Sequence, residues 1–311
     1  MERIGGSTIE VIRLGESKYP RKLINIKNPP KQLYLQGNID LLKSNIIAIV
    51  GSRNCSQNGR KLAEKFTKEL VEQGITIASG LASGIDTIAH KVTLDNNGKT
   101  IAVLGNGFNH IFPKENLSLY NKIIESEGLI ISEYTPDTKA ESKNFVNRNR
   151  IVSGISIGIL VVEAAYRSGT SITARYAIEQ EKKVFVLPHE IDNKYGVGTN
   201  QLIRKGCTLI TSTKEIIDEF NFLKYREIRK EPIKKENKNL SKIIGNDINE
   251  IESKKYQKVY ELITEKIISI DEICEKTKIN LKEINNILFL LEIKGIIRKV
   301  AGGYTCILNK E

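Results

Sequence analysis

From about residue 45, short runs of aliphatic and β-branched residues alternate with stretches whose apolar positions recur every three to four residues. Asn45–Val50 (NIIAIV) reads as a buried strand. Leu62, Ala63, Phe66, Leu70 and Val71 then place an apolar stripe on a helix that ends before Gly74. Further strands are predicted over Ile75–Ala78, Thr100–Leu104, Gly128–Ser132, Ser156–Val162, Lys183–Leu187 and Cys207–Ile210. Helical patterns over Gly84–Leu94, Lys114–Glu127, Phe145–Ser153, Thr170–Glu181 and Thr199–Lys205 separate nearly all of them. Near-continuous apolar strands alternating with helices imply a parallel sheet covered on both faces. The expected class is therefore α/β: a Rossmann-like, doubly wound, mostly parallel sheet over residues 20–220, after a short N-terminal extension at 1–19.

Beyond Phe220 the pattern changes. Residues 221–253 are rich in Lys, Glu and Asn and include Pro232, which reads as a charged linker; Ile243, Ile244, Ile248 and Ile251 leave room for a marginal helix. Helices follow over Tyr256–Thr264, Asp271–Thr277 and Leu281–Lys294, then strands over Gly295–Val300 and Tyr304–Ile307. That order matches a small winged-helix domain at 254–311.

Composition narrows the function classes. The chain has 311 residues, 40% hydrophobic and 27% charged, which argues for globular domains and against disorder or coiled coil. Its longest apolar stretches fall short of the ~18 residues of a spanning helix, and the start MERIGGSTIEVIRLGESKYP lacks a secretory pattern. A soluble, cytoplasmic protein without membrane contact is expected. Cys55, Cys207, Cys274 and Cys306 are scattered singly, so neither a zinc site nor a disulfide framework is expected, and no cofactor is implied. The formal charge of +11 rests mostly on 35 Lys, whose default reading is a solvated surface. The 13 Arg say more, because Arg53, Arg148, Arg150, Arg167 and Arg175 sit beside glycine-rich or strand-end segments. A planar, multi-donor cation at such places suits phosphate.

In open α/β sheets, ligands sit beyond the carboxyl ends of the strands, where helix N-termini direct N–H groups outward. The loops there are Gly51-Ser52-Arg53-Asn54, Ser79–Gly84, Gly105-Asn106-Gly107 and Ser168-Gly169-Thr170-Ser171, with Phe145–Arg150 before the fifth strand. Together they make a glycine- and hydroxyl-rich, basic rim suited to phosphate oxygens, although each alone fits ordinary turn chemistry. Neither GxxxxGK(S/T) nor GxGxxG occurs, and the second strand ends in Ser79-Gly80 without an acidic residue for a ribose. ATPase and dinucleotide-dehydrogenase readings are weakened accordingly. Asp86 and His90, four apart on one helix face, form either an acid–base pair or a helix-terminal carboxylate satisfying a histidine. No nucleophile–base–orienter set can be assembled, so a non-enzymatic role is expected.

These motifs resemble the DprA/Smf family of DNA-processing proteins. The matching segments are Tyr19-Pro20, Leu33-Tyr34 with Gly37-Asn38, GSR at 51–53, SGLASGIDTIAH at 79–90, RNRIVSGIS at 148–156, VVEA at 161–164, SGTSITARYA at 168–177, VFVLP at 184–188 and GTNQLIRKG at 198–206. Two departures are the lack of the separate helical domain that precedes the match in many members, and His189-Glu190 where Gly usually follows Pro188. The resemblance implies a single-stranded DNA-binding protein that delivers incoming strands to the recombinase RecA during natural transformation, and a homodimer formed through the Rossmann-like domain. It also implies a DNA pocket at Gly51, Ser52, Arg53, Phe145, Arg148, Arg150, Gly169, Thr170 and Ser171. Phe145 has two readings, base stacking or core plug, and Arg150 has a structural alternative in pairing with Glu163. The helix at Leu281–Lys294 offers Lys282, Asn285 and Asn286 and then turns apolar, which favours protein contact over duplex readout; Lys299 in the wing is the feature on the other side. A phosphoribohydrolase on the same superfamily fold is the alternative enzyme reading, but Arg167-Ser168-Gly169-Thr170 lacks the PGGxGT double glycine and following Glu of those enzymes.

Overall fold

The computed structural model describes residues 3–4, 7–166, 168–219, 250–265, 268–293, 297–300 and 303–306. The chain divides into two compact units, 1–220 and 221–311.

The first unit is built on a nine-stranded sheet. A small hairpin, β1 (Arg3–Ile4) and β2 (Ser7–Thr8), precedes it. The sheet's strands are β3 (Glu10–Arg13), β4 (Gln32–Gly37), β5 (Ile46–Gly51), β6 (Thr76–Ser79), β7 (Thr100–Leu104), β8 (Leu129–Ser132), β9 (Gly158–Glu163), β10 (Lys183–Val186) and β11 (Thr208–Leu209). Their spatial order is β11-β10-β9-β5-β6-β7-β8-β4-β3. Every pairing from β11 to β8 is parallel, whereas β4 pairs antiparallel with both β8 and β3. The doubly wound sheet expected from the apolar runs is thus present, with an antiparallel edge that extends it back to Glu10. Gln32–Gly37 hid that edge because polar and apolar residues mix along it, as they do on a strand near a solvated margin.

Helices α1 (Arg21–Ile24), α2 (Gln57–Glu72), α3 (Ile85–Asp95), α4 (Leu117–Glu125), α5 (Ser142–Ile155), α6 (Gly169–Glu179) and α7 (Val197–Arg204) connect the strands. A further helix, α8, runs over 213–219. Side chains alternate across each strand, so Ile47 and Ile49 enter the core under α2 and α3, while Ala48 and Val50 face the opposite core. Both cores are closed, which is why NIIAIV carries no polar alternation. The helix predicted to start at Lys114 begins as a 3-10 turn at Lys114–Asn116 and becomes α-helical at Leu117.

From β5 the chain winds outward through β6, β7 and β8, then returns to lay β9 on the other side of β5. The carboxyl ends of β5 and β9 therefore flank the point where the winding direction reverses. A crevice opens there.

The described residues of the second unit form α9 (Glu250–Glu265), α10 (Ile270–Thr277), α11 (Leu281–Ile293), β12 (Ile297–Val300) and β13 (Gly303–Cys306), three helices followed by two strands. Tyr256, Val259, Ile263, Ile273, Ile284, Ile287, Leu288, Leu291 and Ile297 form its own core. Most of the expected linker and the Lys299 side chain lie outside the described residues.

Candidate nucleic-acid interface

The crevice has a volume of about 740 Å³ and is lined by the loop after β5, the start of α5 and the turn that opens α6. Gly51, Ser52, Arg53, Phe145, Arg148, Gly169 and Thr170 all line it. Arg150 and Ser171 face other depressions.

Arg53 is exposed at the rim, and its guanidinium carbon stands 5.7 Å from the centroid of the Phe145 ring. Phe145 in turn meets Phe112 at 5.5 Å between centroids, with the rings tilted by 49°. Phe112 leaves 46% of its surface to solvent. A half-buried ring backed by a second ring and flanked by a cation is a platform for flat, electron-rich groups. Phe145 therefore forms part of the crevice wall, with its ring packed on Gly105.

The position of Arg53 depends on close backbone packing. Gly84 caps α3 with φ +77°, and a Cβ there would collide with the carbonyl oxygens of Ser52 and Arg53. The Ile85 N–H donates to the Ser52 carbonyl at 3.2 Å, and the Ser52 N–H donates to the Glu163 carbonyl at 2.8 Å. The β5 loop is thus held from the start of α3 on one side and the end of β9 on the other.

The floor is charged but buried. Arg148 is only 3% exposed; its guanidinium lies against Gly80 and donates to the Val103 carbonyl. Burial pulls Arg148 down to about 10, against the opposing effect of the nearby Asp86 carboxylate. Burial also raises the Asp86 carboxyl, partly countered by Arg148, and Asp86 accepts the Gly80 N–H at 3.1 Å. Asp86 and His90 do not pair with each other here. The Thr100 hydroxyl donates to the Ile77 carbonyl, so it accepts from His90 Nδ1 at 2.7 Å. Burial, helped by Arg148, depresses His90 to about 3. Asp86 lines the crevice floor and His90 is buried in the core, so the two do not form the pair their spacing allowed.

The carboxylate of Glu163, fully buried, accepts the Ser56 N–H and hydroxyl at 2.8 and 2.6 Å. Ser56 is the N-cap of α2 and accepts the Gly59 N–H at 2.9 Å. The N-terminus of α2, where this fold often seats a ligand phosphate, thus already faces the protein's own anion. The N-terminus of α6 differs: Ser168 makes no side-chain cap, and Gly169 and Thr170 line the crevice. Unsatisfied N–H groups at such an end attract phosphate oxygens.

Arg150 does not pair with Glu163. It forms a two-pronged ion pair with Glu133, with Nη1 at 2.9 and Nη2 at 2.5 Å, and also donates to the carbonyls of Asn28 and Asn147. Arg148 and Arg150 are two positions apart on α5, which turns them to different sides of the helix, whereas Phe145 and Arg148 share one. That spacing was the signal in the sequence. Asn54, from the expected rim loop, lines it too, as do Phe112, Ala165 and Tyr195, which were not anticipated. Arg167 lies outside the described residues. Among the described residues there is no group of His, Cys, Asp and Glu that could hold a metal ion.

Residues 10–221 match the family described as DNA recombination-mediator protein A, and residues 248–303 match the DprA winged helix domain. The chain belongs to the DprA/Smf family. Protein Smf of Escherichia coli is 37% identical over 92% of this chain and 74% of its own length. The DNA processing protein DprA of Streptococcus pneumoniae is 43% identical over 66% of this chain and 72% of its own. Among solved structures, the Streptococcus pneumoniae DprA superposes with TM-score 0.65 at 40% identity, covering 68% of this chain and 74% of that one. A Helicobacter pylori DprA structure, described in terms of its single-stranded DNA binding mode, gives TM-score 0.61 at 31% identity over 68% of this chain and 95% of that one. No helix among the described residues of this DprA/Smf chain is long and apolar enough to cross a membrane.

Proposed function

We propose that this protein binds single-stranded DNA in the crevice at the switch point, without strong sequence preference, and acts there without catalysing a reaction. The observation that carries the reading is the Arg53–Phe145–Phe112 platform beside the uncapped α6 N-terminus. The rings offer stacking, while the guanidinium and helix amides offer backbone phosphate contacts. Neither reads a base edge, so the grip is sequence-tolerant. A flexible single strand can splay its bases onto such rings, whereas a duplex keeps them stacked inside. The Helicobacter pylori relative supports the ligand class.

Within this reading Gly51, Ser52, Gly169 and Thr170 supply backbone and hydroxyl contacts, and Arg53 the exposed cation. Arg148 is a positioning residue under the floor. Arg150 and Ser171, which face neighbouring depressions, act outside this crevice. The family further supports delivery of the strand to RecA in the cytoplasm during natural transformation, by a homodimer joined through the Rossmann-like domain. A phosphoribohydrolase reading is disfavoured by the buried carboxylates of Asp86, which lines the crevice, and Glu163, at the head of α2, because each is bound to the protein's own amides or hydroxyls.

Fluorescence anisotropy with oligothymidylate, a duplex of equal length and a competing nucleoside monophosphate tests the binding step. Single strand should bind tightest, and affinity should fall with salt at about −0.7 per phosphate contacted. Displacement by monophosphate, or release of free base from it, would overturn the proposal. Strand exchange by RecA with and without the protein tests the delivery step.

A further inference from the structure

The crevice has an aromatic lining residue outside every motif considered above. Tyr195 sits on the loop between β10 and α7, which enters from the β9–β10 side of the switch point, while Phe112 follows β7 on the other side. The loop is also where the sequence departs from the family pattern, at His189-Glu190.

The structure gives His189 a definite job there. Its ring bonds in two directions, Nε2 to the Val162 carbonyl at 2.8 Å and Nδ1 to Asn193 Nδ2 at 3.3 Å. Asn193 Oδ1 already accepts the Tyr195 N–H at 3.0 Å, so Asn193 Nδ2 is the donor to Nδ1. Nδ1 therefore accepts, and Nε2–H donates to Val162, which is one consistent neutral tautomer. The main chain of His189 is also clamped, its N–H donating to Asn200 Oδ1 and its carbonyl accepting from Asn200 Nδ2, at 3.1 and 2.9 Å. Gly196, next to Tyr195, must be glycine, since a Cβ would run into the His189 side chain. A histidine thus joins the end of β9 to the turn that presents Tyr195.

Tyr195 itself is half-buried, and Lys194 Nζ lies 5.2 Å from its ring centroid. This repeats, on the second side of the crevice, the ring-and-cation pairing of Phe145 with Arg53. We infer that Tyr195 stacks on a nucleobase of the bound strand, with Lys194 near its phosphates and His189 as the positioning residue that holds the loop. The inference rests on the crevice being a polynucleotide site. It gives the crevice a stacking surface on each side of the switch point, so a strand crossing it has bases engaged on both.

The test uses the full chain with oligothymidylate and an abasic phosphodiester of equal length. Stacking on an aromatic side chain is worth ~1–3 kcal/mol per base, which is about 5- to 150-fold in affinity. Tyr195→Ala should lose affinity in that range for oligothymidylate and keep wild-type affinity for the abasic chain. Tyr195→Phe should bind as wild type. His189→Ala should follow Tyr195→Ala on oligothymidylate. The chain has no tryptophan, so Tyr195→Trp introduces a single reporter, whose emission should be quenched by oligothymidylate and not by the abasic chain. Unchanged oligothymidylate binding by Tyr195→Ala, an equal loss on both ligands, or an unresponsive tryptophan would overturn the inference while leaving the crevice reading intact. Failure of the wild-type chain to bind oligothymidylate would instead overturn the crevice reading itself.

Discussion

Glu163 Oε1 lies 2.6 Å from the Ser56 hydroxyl, and its other carboxylate oxygen takes the Ser56 N–H, so the end of β9 is fastened to the start of α2. Glu163→Gln keeps the shape but replaces one acceptor by a donor facing a donor. A hydrogen bond to a charged group contributes about 1.5–3 kcal/mol, and a unit of this size loses about 2–4 °C per kcal/mol. The variant should melt roughly 4–10 °C lower by differential scanning calorimetry. An unchanged transition would show that this fastening adds nothing to stability.

Arg53 is the exposed cation of the crevice. Arg53→Ala should weaken oligothymidylate binding for every base composition and lower the salt slope by about one contact. Arg53→Lys keeps the charge but loses the guanidinium that stands over the Phe145 ring, so it should restore the slope and only part of the affinity. Titrations at several salt concentrations separate the two effects.

His90 makes the protein acid-sensitive. Its native pKa of about 3 lies below the ordinary 6.5, so the unfolded chain binds a proton that the native chain refuses. The stability tied to the neutral ring is present above pH 6.5 and is lost as pH falls from there toward 3. The slope is about 1.4 kcal/mol per pH unit from this one group. Chemical denaturation at pH 7 and pH 5 should show a larger loss for wild type than for His90→Gln.

Gly84→Ala tests how tightly the Arg53 loop is set. The φ of +77° and the Ser52 and Arg53 carbonyls both oppose a side chain there. Backbone strain of about 1–3 kcal/mol is expected, with DNA affinity falling because Arg53 is displaced. A Gly84→Ala protein with wild-type stability and affinity would show that the loop is freer than its packing indicates.

The winged-helix unit should not read duplex sequence by itself. Its α11 carries Lys282, Asn285 and Asn286 at the start, but Phe289 is 62% exposed and Lys255 pairs with Glu283 at 2.8 Å. Residues 248–311 have their own core and are expected to fold alone. Gel shifts with a defined duplex should give only weak, salt-sensitive binding.

The parallel strands were readable because burial on both faces leaves long apolar runs such as NIIAIV and GILVVE. The β3–β4 margin was not, since strand edges mix polar and apolar positions over few residues. Beside the crevice, Arg150 pairs with Glu133, which follows β8, and not with Glu163 at the end of β9, a choice only the fold makes. The Asp86–His90 spacing suggested a pair, yet Thr100, contributed by the neighbouring strand, competes successfully for the imidazole. Phe112 and Tyr195 carry no spacing signal at all; only the fold brings a residue after β7 and one after β10 to the same cavity.

The carboxylate at the head of α2 also bears on which other anions the protein can take up. Because that anion is part of the chain, it cannot be diluted, exchanged or hydrolysed. A phosphate-bearing small molecule therefore meets a permanently occupied helix end there, whatever its concentration.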